Sequence, residues 1–254
     1  MERLTEKEQE ARKKVCLPLD NINSITEFKE RVEELSPIVG LFKIGKGSFT
    51  RYGLKAIDLA KEYGSELFLD LKYHDIPNTV KDAAAAATEV GAYMFNVHAS
   101  GGLEMMKAAA EGASETAERF NMRKPKIVAV TILTSIDEKI MNNELRIPGK
   151  VEDQVLHYAK LANEAGLDGI VCSAADLYSI KSKLPENFMY VTPGIQHPKT
   201  ANIGSDQKRV FTPGNAIKDG SSILVVGRAI TGYKTTDERV KAGYEILQDM
   251  AKYL

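Results

Sequence analysis

The feature that most constrains this chain is an alternation, repeated eight times, of a short β-rich apolar run with a longer segment of helical periodicity. The runs are Val15 to Leu19, Leu41 to Ile44, Leu67 to Leu71, Tyr93 to Val97, Ile127 to Ile132, Gly169 to Cys172, Met189 to Thr192 and Ser222 to Val226. The helical segments that follow them are Ile25 to Leu35, Phe49 to Tyr63, Thr79 to Val90, Leu103 to Phe120, Val151 to Ala165, Ala174 to Leu184, Gly214 to Lys218 and Asp237 to Leu254, with Gly, Pro or Asn/Asp breaks between. Such an alternation with short connections requires parallel strands joined by right-handed crossovers. Near-continuous apolar stretches such as Ile127-Val128-Ala129-Val130 suit a sheet covered by helices on both faces. Eight units in 254 residues is the size of a (β/α)8 TIM barrel, with a doubly wound open sheet as the alternative. The expectation is an α/β chain with a single barrel domain over residues 1–254. The charged extension, residues 1–14, is expected either to add an extra N-terminal helix across one end of the barrel or to fray.

Composition removes several functional classes. With 34 Lys and Arg against 35 Asp and Glu, the chain has no global basic field, so neither nucleic acid nor a membrane surface is an expected partner. Stretches free of charge, such as Val90 to Leu103, fall short of the roughly 18 to 20 residues of a membrane span. Met1 to Lys14 lacks the apolar core of a secretory signal, which favours the cytoplasm. Cys16 and Cys172 stand far apart and outside any metal-ligand spacing, and are expected to be reduced core residues. No His, Asp or Glu spacing resembles a metal site, so no metal ligand set is expected.

Polar residues at the C-terminal ends of barrel strands face the active site. Here those positions hold Asp20 after strand one, Lys43 and Gly45 at strand two, the run Asp70-Leu71-Lys72-Tyr73-His74-Asp75 at strand three, Asn96 and His98 at strand four, Thr134 after strand five, Pro193-Gly194 after strand seven and Gly227-Arg228 after strand eight. Strand alternation aims Asp70 and Lys72 into the barrel and Leu71 outward. Charged groups are rarely buried unless paired, so Asp70, Lys72, Asp20 and Lys43 form either a structural ion-pair set or a site, and their number favours a site. Carboxylates beside Lys72 favour its charged form, which suits an acid that stabilises and protonates a carbanion and does not suit a Schiff base.

Gly227-Arg228 stands where barrels bind phosphate, offering backbone N–H groups and a guanidinium to a dianion. The polar segment from Gln196 to Arg209 is longer than an ordinary connection. It reads either as a mobile surface loop or, the preferred reading, as a lid over that phosphate with Gln207 as its contact. His98 reads as a core histidine, His157 and His197 as surface residues.

Phe68-Leu-Asp70-Leu-Lys72-Tyr-His-Asp75-Ile-Pro-Asn-Thr79 resembles the signature of the orotidine 5'-phosphate decarboxylase family. Leu41-Phe-Lys43-Ile-Gly45, Asn96 to Gly102, Val130 to Ser135, Val191 to Gly194 and Val226-Gly-Arg228 follow in the family's order, so the resemblance runs from about Val15 to Tyr233. It implies cofactor-free and metal-free decarboxylation of orotidine monophosphate to UMP in a homodimer. By that pattern Asp70 opposes the substrate carboxylate and Lys72 protonates C6. Lys43 joins the charge array and, with Asp20, holds ribose hydroxyls. Asp75 and Thr79 reach the partner's site, Thr134 contacts the pyrimidine, and Gln207, Gly227 and Arg228 take the phosphate. Gln196-His197 departs from bacterial relatives that carry Arg after Pro-Gly-Ile. The related 3-keto-gulonate phosphate decarboxylases share the Asp-x-Lys-x-x-Asp pattern but use magnesium, with an acidic residue in place of Lys43. A lysine there repels the metal.

Overall fold

A computed structural model of the protein describes residues 3–199 and 211–254. The chain runs α1 (Glu6–Lys13), β1 (Val15–Pro18), α2 (Ile25–Leu35), β2 (Leu41–Gly45), α3 (Lys46–Tyr52), α4 (Leu54–Lys61), β3 (Glu66–Tyr73), α5 (Pro77–Glu89), β4 (Met94–His98), α6 (Leu103–Arg119), β5 (Lys126–Val130), α7 (Glu138–Asn143), α8 (Val151–Glu164), β6 (Gly169–Val171), α9 (Ala174–Ile180), β7 (Met189–Thr192), α10 (Pro213–Asp219), β8 (Ile223–Val225), α11 (Arg228–Thr231) and α12 (Thr236–Ala251). The eight strands follow sequence order in a closed parallel barrel, the (β/α)8 architecture. Among the described residues no helix is long and apolar enough to cross a membrane.

The chain divides into two compact units, Met1–Asp70 with Thr192–Leu254, and Leu71–Val191. In the first, β1 pairs with β2 and with β8, Cys16 standing opposite both Leu41 and Val225, and β2 pairs with β3 from Leu41 opposite Glu66 to Gly45 opposite Asp70. Phe28, Val32 and Leu35, one stripe of α2, are fully buried together with Leu17 and Phe42. Each such side chain contributes about 1.5–3 kcal/mol on leaving water. The charged extension becomes a helix and not a frayed end. Thr5 and Glu8 form a reciprocal capping box that satisfies the first N–H groups of α1, and the helix packs on α12. The helix expected over residues 49–63 is divided in two because Gly53 takes φ 55°, ψ −140°, a backbone state that side chains disfavour.

In the second unit β4, β5, β6 and β7 pair in turn, Asn96 opposite Val128, Val128 opposite Gly169 and Gly169 opposite Met189. The alanine run of α5 buries Ala84 and Ala87, and α5 packs closely on α6. At the crossing a Cβ on Gly112 would stand 2.3 Å from the Lys81 carbonyl oxygen, so only glycine permits this approach. α7 and α11 were not expected from the sequence; at six and four residues neither carries enough periodicity to be read. Both cysteines are free and buried, and burial pushes both thiols well above their ordinary pKa, as suits inert core residues.

Candidate active site

β2 is buried along its whole length, yet its third residue is a lysine. Lys43 is tolerated there because two carboxylates meet it: its Nζ lies 2.8 Å from Asp70 Oδ2 on β3 and 3.1 Å from Asp20 Oδ2 just beyond β1. Lys43 and Asp70 are each 7% exposed, a depth at which ionised groups persist only when paired. Burial by itself lowers the Lys43 pKa, but attraction first to Asp70 and then to Asp20 outweighs it, and the net shift is upward. The side chain is a fixed cation at neutral pH.

Local sequence explains the arrangement. The Leu19 N–H donates to the Lys43 carbonyl at 2.9 Å, and the Ser48 hydroxyl donates to the Leu19 carbonyl, so the turn that presents Asp20 is tied to β2 and α3. Gly45 leaves the needed space: a Cβ there would stand 2.7 Å from Asp20 Oδ1 and 3.2 Å from Lys43 Nζ.

The same unit holds a cavity of about 570 Å³ whose lining includes Asp20, Lys43, Gly194, Gln196, Gly227 and Arg228. Its lining therefore combines the Asp20–Lys43 pair with an exposed arginine at the start of α11. Gly227 sits at φ −99°, ψ −102°, with its Cβ position 3.3 Å from Pro18 Cγ. Gln196 brings a neutral amide where a further cation would be expected, and its N–H donates to the Phe211 carbonyl at 3.2 Å. Gln207 lies outside the described residues.

His197, expected at the surface, is instead 3% exposed. Its Nε2 lies 3.2 Å from Glu245 Oε2 on α12, and its Nδ1 accepts from the Lys199 N–H at 3.3 Å. Burial lowers its pKa, only partly opposed by Glu245. An isolated histidine in a polar segment carries no periodicity, so its depth was not legible from sequence. Arg239 is the other concealed anchor. It pairs with Glu34 and donates to the Tyr233 and Lys234 carbonyls at 3.1 and 2.9 Å, which secures the chain just after α11.

In the second unit, Lys72 is half-buried at the end of β3 with φ 53°. Alternation along an ideal strand does not survive this left-handed residue. For a lysine that conformation costs of order 1–3 kcal/mol and persists only when neighbours impose it. Its N–H donates to Asn96 Oδ1 at 2.8 Å, and Asn96, on β4, is 1% exposed. Tyr73 packs on Phe95 with ring centroids 5.9 Å apart, and the His74 and His98 rings lie 5.5 Å apart. Asp75 is exposed, its Oδ1 accepting from the Ile76 N–H at 2.7 Å, just before Pro77 opens α5. Thr79 and Thr134 are exposed as well, Thr134 in the turn after β5.

Chemically, the first unit offers a cavity with a guanidinium in its lining and a set of alternating charges, and the second offers an ammonium on a constrained backbone with an exposed carboxylate three residues on. Residues 13–242 match the model of the orotidine 5'-phosphate decarboxylase / HUMPS family. An orotidine 5'-phosphate decarboxylase from Moorella thermoacetica is 44% identical over 221 residues, which cover 87% of this chain and 86% of that protein. One from Syntrophus aciditrophicus is 39% identical over 246 residues, 97% and 96% of the two chains. Among solved structures, the orotidine 5'-phosphate decarboxylase of Lactobacillus acidophilus superposes with a TM-score of 0.80 at 33% identity, covering 93% of this chain and 98% of that one.

Proposed function

The chain belongs to the orotidine 5'-phosphate decarboxylase / HUMPS family, and on that premise we propose that it is the carboxy-lyase of pyrimidine biosynthesis that converts orotidine 5'-monophosphate to UMP and carbon dioxide. The observation that carries this reading is a cavity that brings Asp20 and Lys43 together with Gly227 and Arg228, which suits a ligand with ribose hydroxyls at one end and a phosphate dianion at the other. The working protein is one barrel domain.

In this reading Asp70 faces the carboxylate that is lost. As the C6–carboxyl bond breaks, carbon dioxide departs and the electron pair stays on C6. The Lys72 ammonium stabilises that carbanion and gives it a proton, so that Lys72 ends neutral and the product is UMP. Lys43, held between Asp70 and Asp20, keeps Asp70 in place and reaches the ribose with Asp20. Thr134 contacts the pyrimidine, and Gln207 joins Gly227 and Arg228 on the phosphate. The reaction needs no metal or cofactor. An ammonium at 2.8 and 3.1 Å from two carboxylates takes the place a divalent cation would need and repels one electrostatically.

The exposure of Asp75 and Thr79, beside an Ile76 that is 67% exposed, supports a homodimer in which these residues complete the partner's site. The test is loss of orotate absorbance with orotidine monophosphate in EDTA, run beside Lys72→Ala. Decay that disappears in the variant is the expected result. Activity only with magnesium and a sugar phosphate would transfer the protein to the gulonate branch.

A further inference from the structure

We infer that Asn96 is a positioning residue for this reaction, its buried amide oxygen holding the Lys72 backbone in the left-handed state that aims the ammonium. The inference rests on the reading of Lys72 as the acid. Non-glycine residues at positive φ among those described are Asn21, Lys72, Asn121 and Arg146. Asparagine tolerates this region because its side chain can bond locally, whereas lysine has no such means and needs an external tie.

Asn96 supplies that tie. Its Oδ1 receives the Lys72 N–H at 2.8 Å. Because a backbone N–H can only donate, this contact determines which way the amide faces. The residue itself cannot drift: it sits in the middle of β4, paired with Val128 on β5, between the buried Phe95 and Val97. The neighbouring Phe95 holds the Tyr73 ring, so two consecutive residues of β4 grip two consecutive residues at the end of β3. An extended Lys72 would follow strand alternation, whereas φ 53° turns the residue out of it. The direction of the Lys72 side chain therefore depends on a bond made by a residue that need not touch the substrate.

The measurement is single-turnover loss of orotate absorbance for Asn96→Ala and Asn96→Asp, with KM from steady state and folding from circular dichroism. Asn96→Ala removes the acceptor and is expected to slow the chemical step about 10- to 100-fold, the scale of a misplacement near 1 Å. KM should stay within about twofold, because binding of the ground state is unaffected. Asn96→Asp keeps an oxygen acceptor in place and is expected to recover most of the rate. Should the alanine variant fail to fold, Asn96→Leu fills the volume without an acceptor and takes its place. A folded variant lacking the acceptor yet turning over at the original rate would overturn the inference, as would an aspartate variant as slow as alanine. Lys72→Ala separates the two readings: full activity there removes the premise, whereas a dead Lys72→Ala beside a normal Asn96→Ala removes only the positioning role.

Discussion

Asp70 and Asp75 belong to one six-residue motif, yet the protein treats them as opposites. Asp70 is 7% exposed and locked to Lys43 at 2.8 Å within a three-charge set that also includes Asp20. Asp75 is exposed, and its carboxylate accepts from the N–H of the next residue. The first is held by buried charge, so function and stability share the same atoms. The second is exposed and makes only a local bond to the next residue's N–H, so its carboxylate is accessible to a ligand or a partner. Two identical side chains five positions apart thus sit in opposite environments, and substitutions should separate them.

The largest separation is in what each loss damages. Lys72→Ala and Asp70→Ala are both expected to reduce turnover by about 10²-fold or more. Asp70→Ala should also cost about 3 kcal/mol in urea denaturation, since it strips a buried lysine of one counter-charge. Asp75→Ala should lose activity with an unchanged unfolding midpoint; equal destabilisation of the two aspartate variants would break the comparison. Mixing Lys72→Ala with Asp75→Ala subunits sharpens it further. If Asp75 serves the partner's site, random dimers regain about a quarter of full activity, because each hybrid rebuilds one intact site. No recovery on mixing would place Asp75 in its own subunit's chemistry.

Smaller effects follow at the edges of the charge set. Arg228→Ala should raise KM about 10- to 100-fold with kcat changed less, the loss of a charge-assisted contact to a dianion, and should weaken inhibition by inorganic phosphate in parallel. Gly45→Ala is expected to cost about 1–2 kcal/mol, because its Cβ would displace Asp20 Oδ1 from 2.7 Å, and thermal melts beside kcat/KM would register both consequences. The smallest effect concerns His197, which faces Glu245, with Lys199 and Asp249 also acting on it. Its folded pKa lies below the ordinary 6.5, chiefly from burial. Its stabilising contribution is therefore present above pH 6.5 and is lost as pH falls through the folded value. His197→Gln should flatten the acid limb of the stability profile by about 1 kcal/mol or less, and an unchanged limb would show that His197 does not govern it.

Much of the fold and site was legible because the signals are local. Apolar runs of four to six residues broken by glycine and proline specify strands whatever surrounds them, and all eight appear within a few residues of their expected bounds. The charged residues at strand ends stood out because charge in a barrel strand needs a reason, and Asp20, Lys43 and Asp70 do meet. What was not legible depended on partners distant in sequence. Lys72 was expected to follow strand alternation, and its left-handed φ depends on Asn96, 24 positions away. His197 looked like a surface residue until Glu245 came to it from α12.

The amino-acid sequence by itself determined the architecture and the inventory of charge: periodicity, turn residues and the Asp-x-Lys-x-x-Asp pattern are properties of neighbours along the chain. Only the tertiary structure decided which charges pair, which are buried and how the lysine backbone is bent. Pairing falls off with distance in space and burial depends on everything packed around a group, and neither quantity exists until the chain has folded.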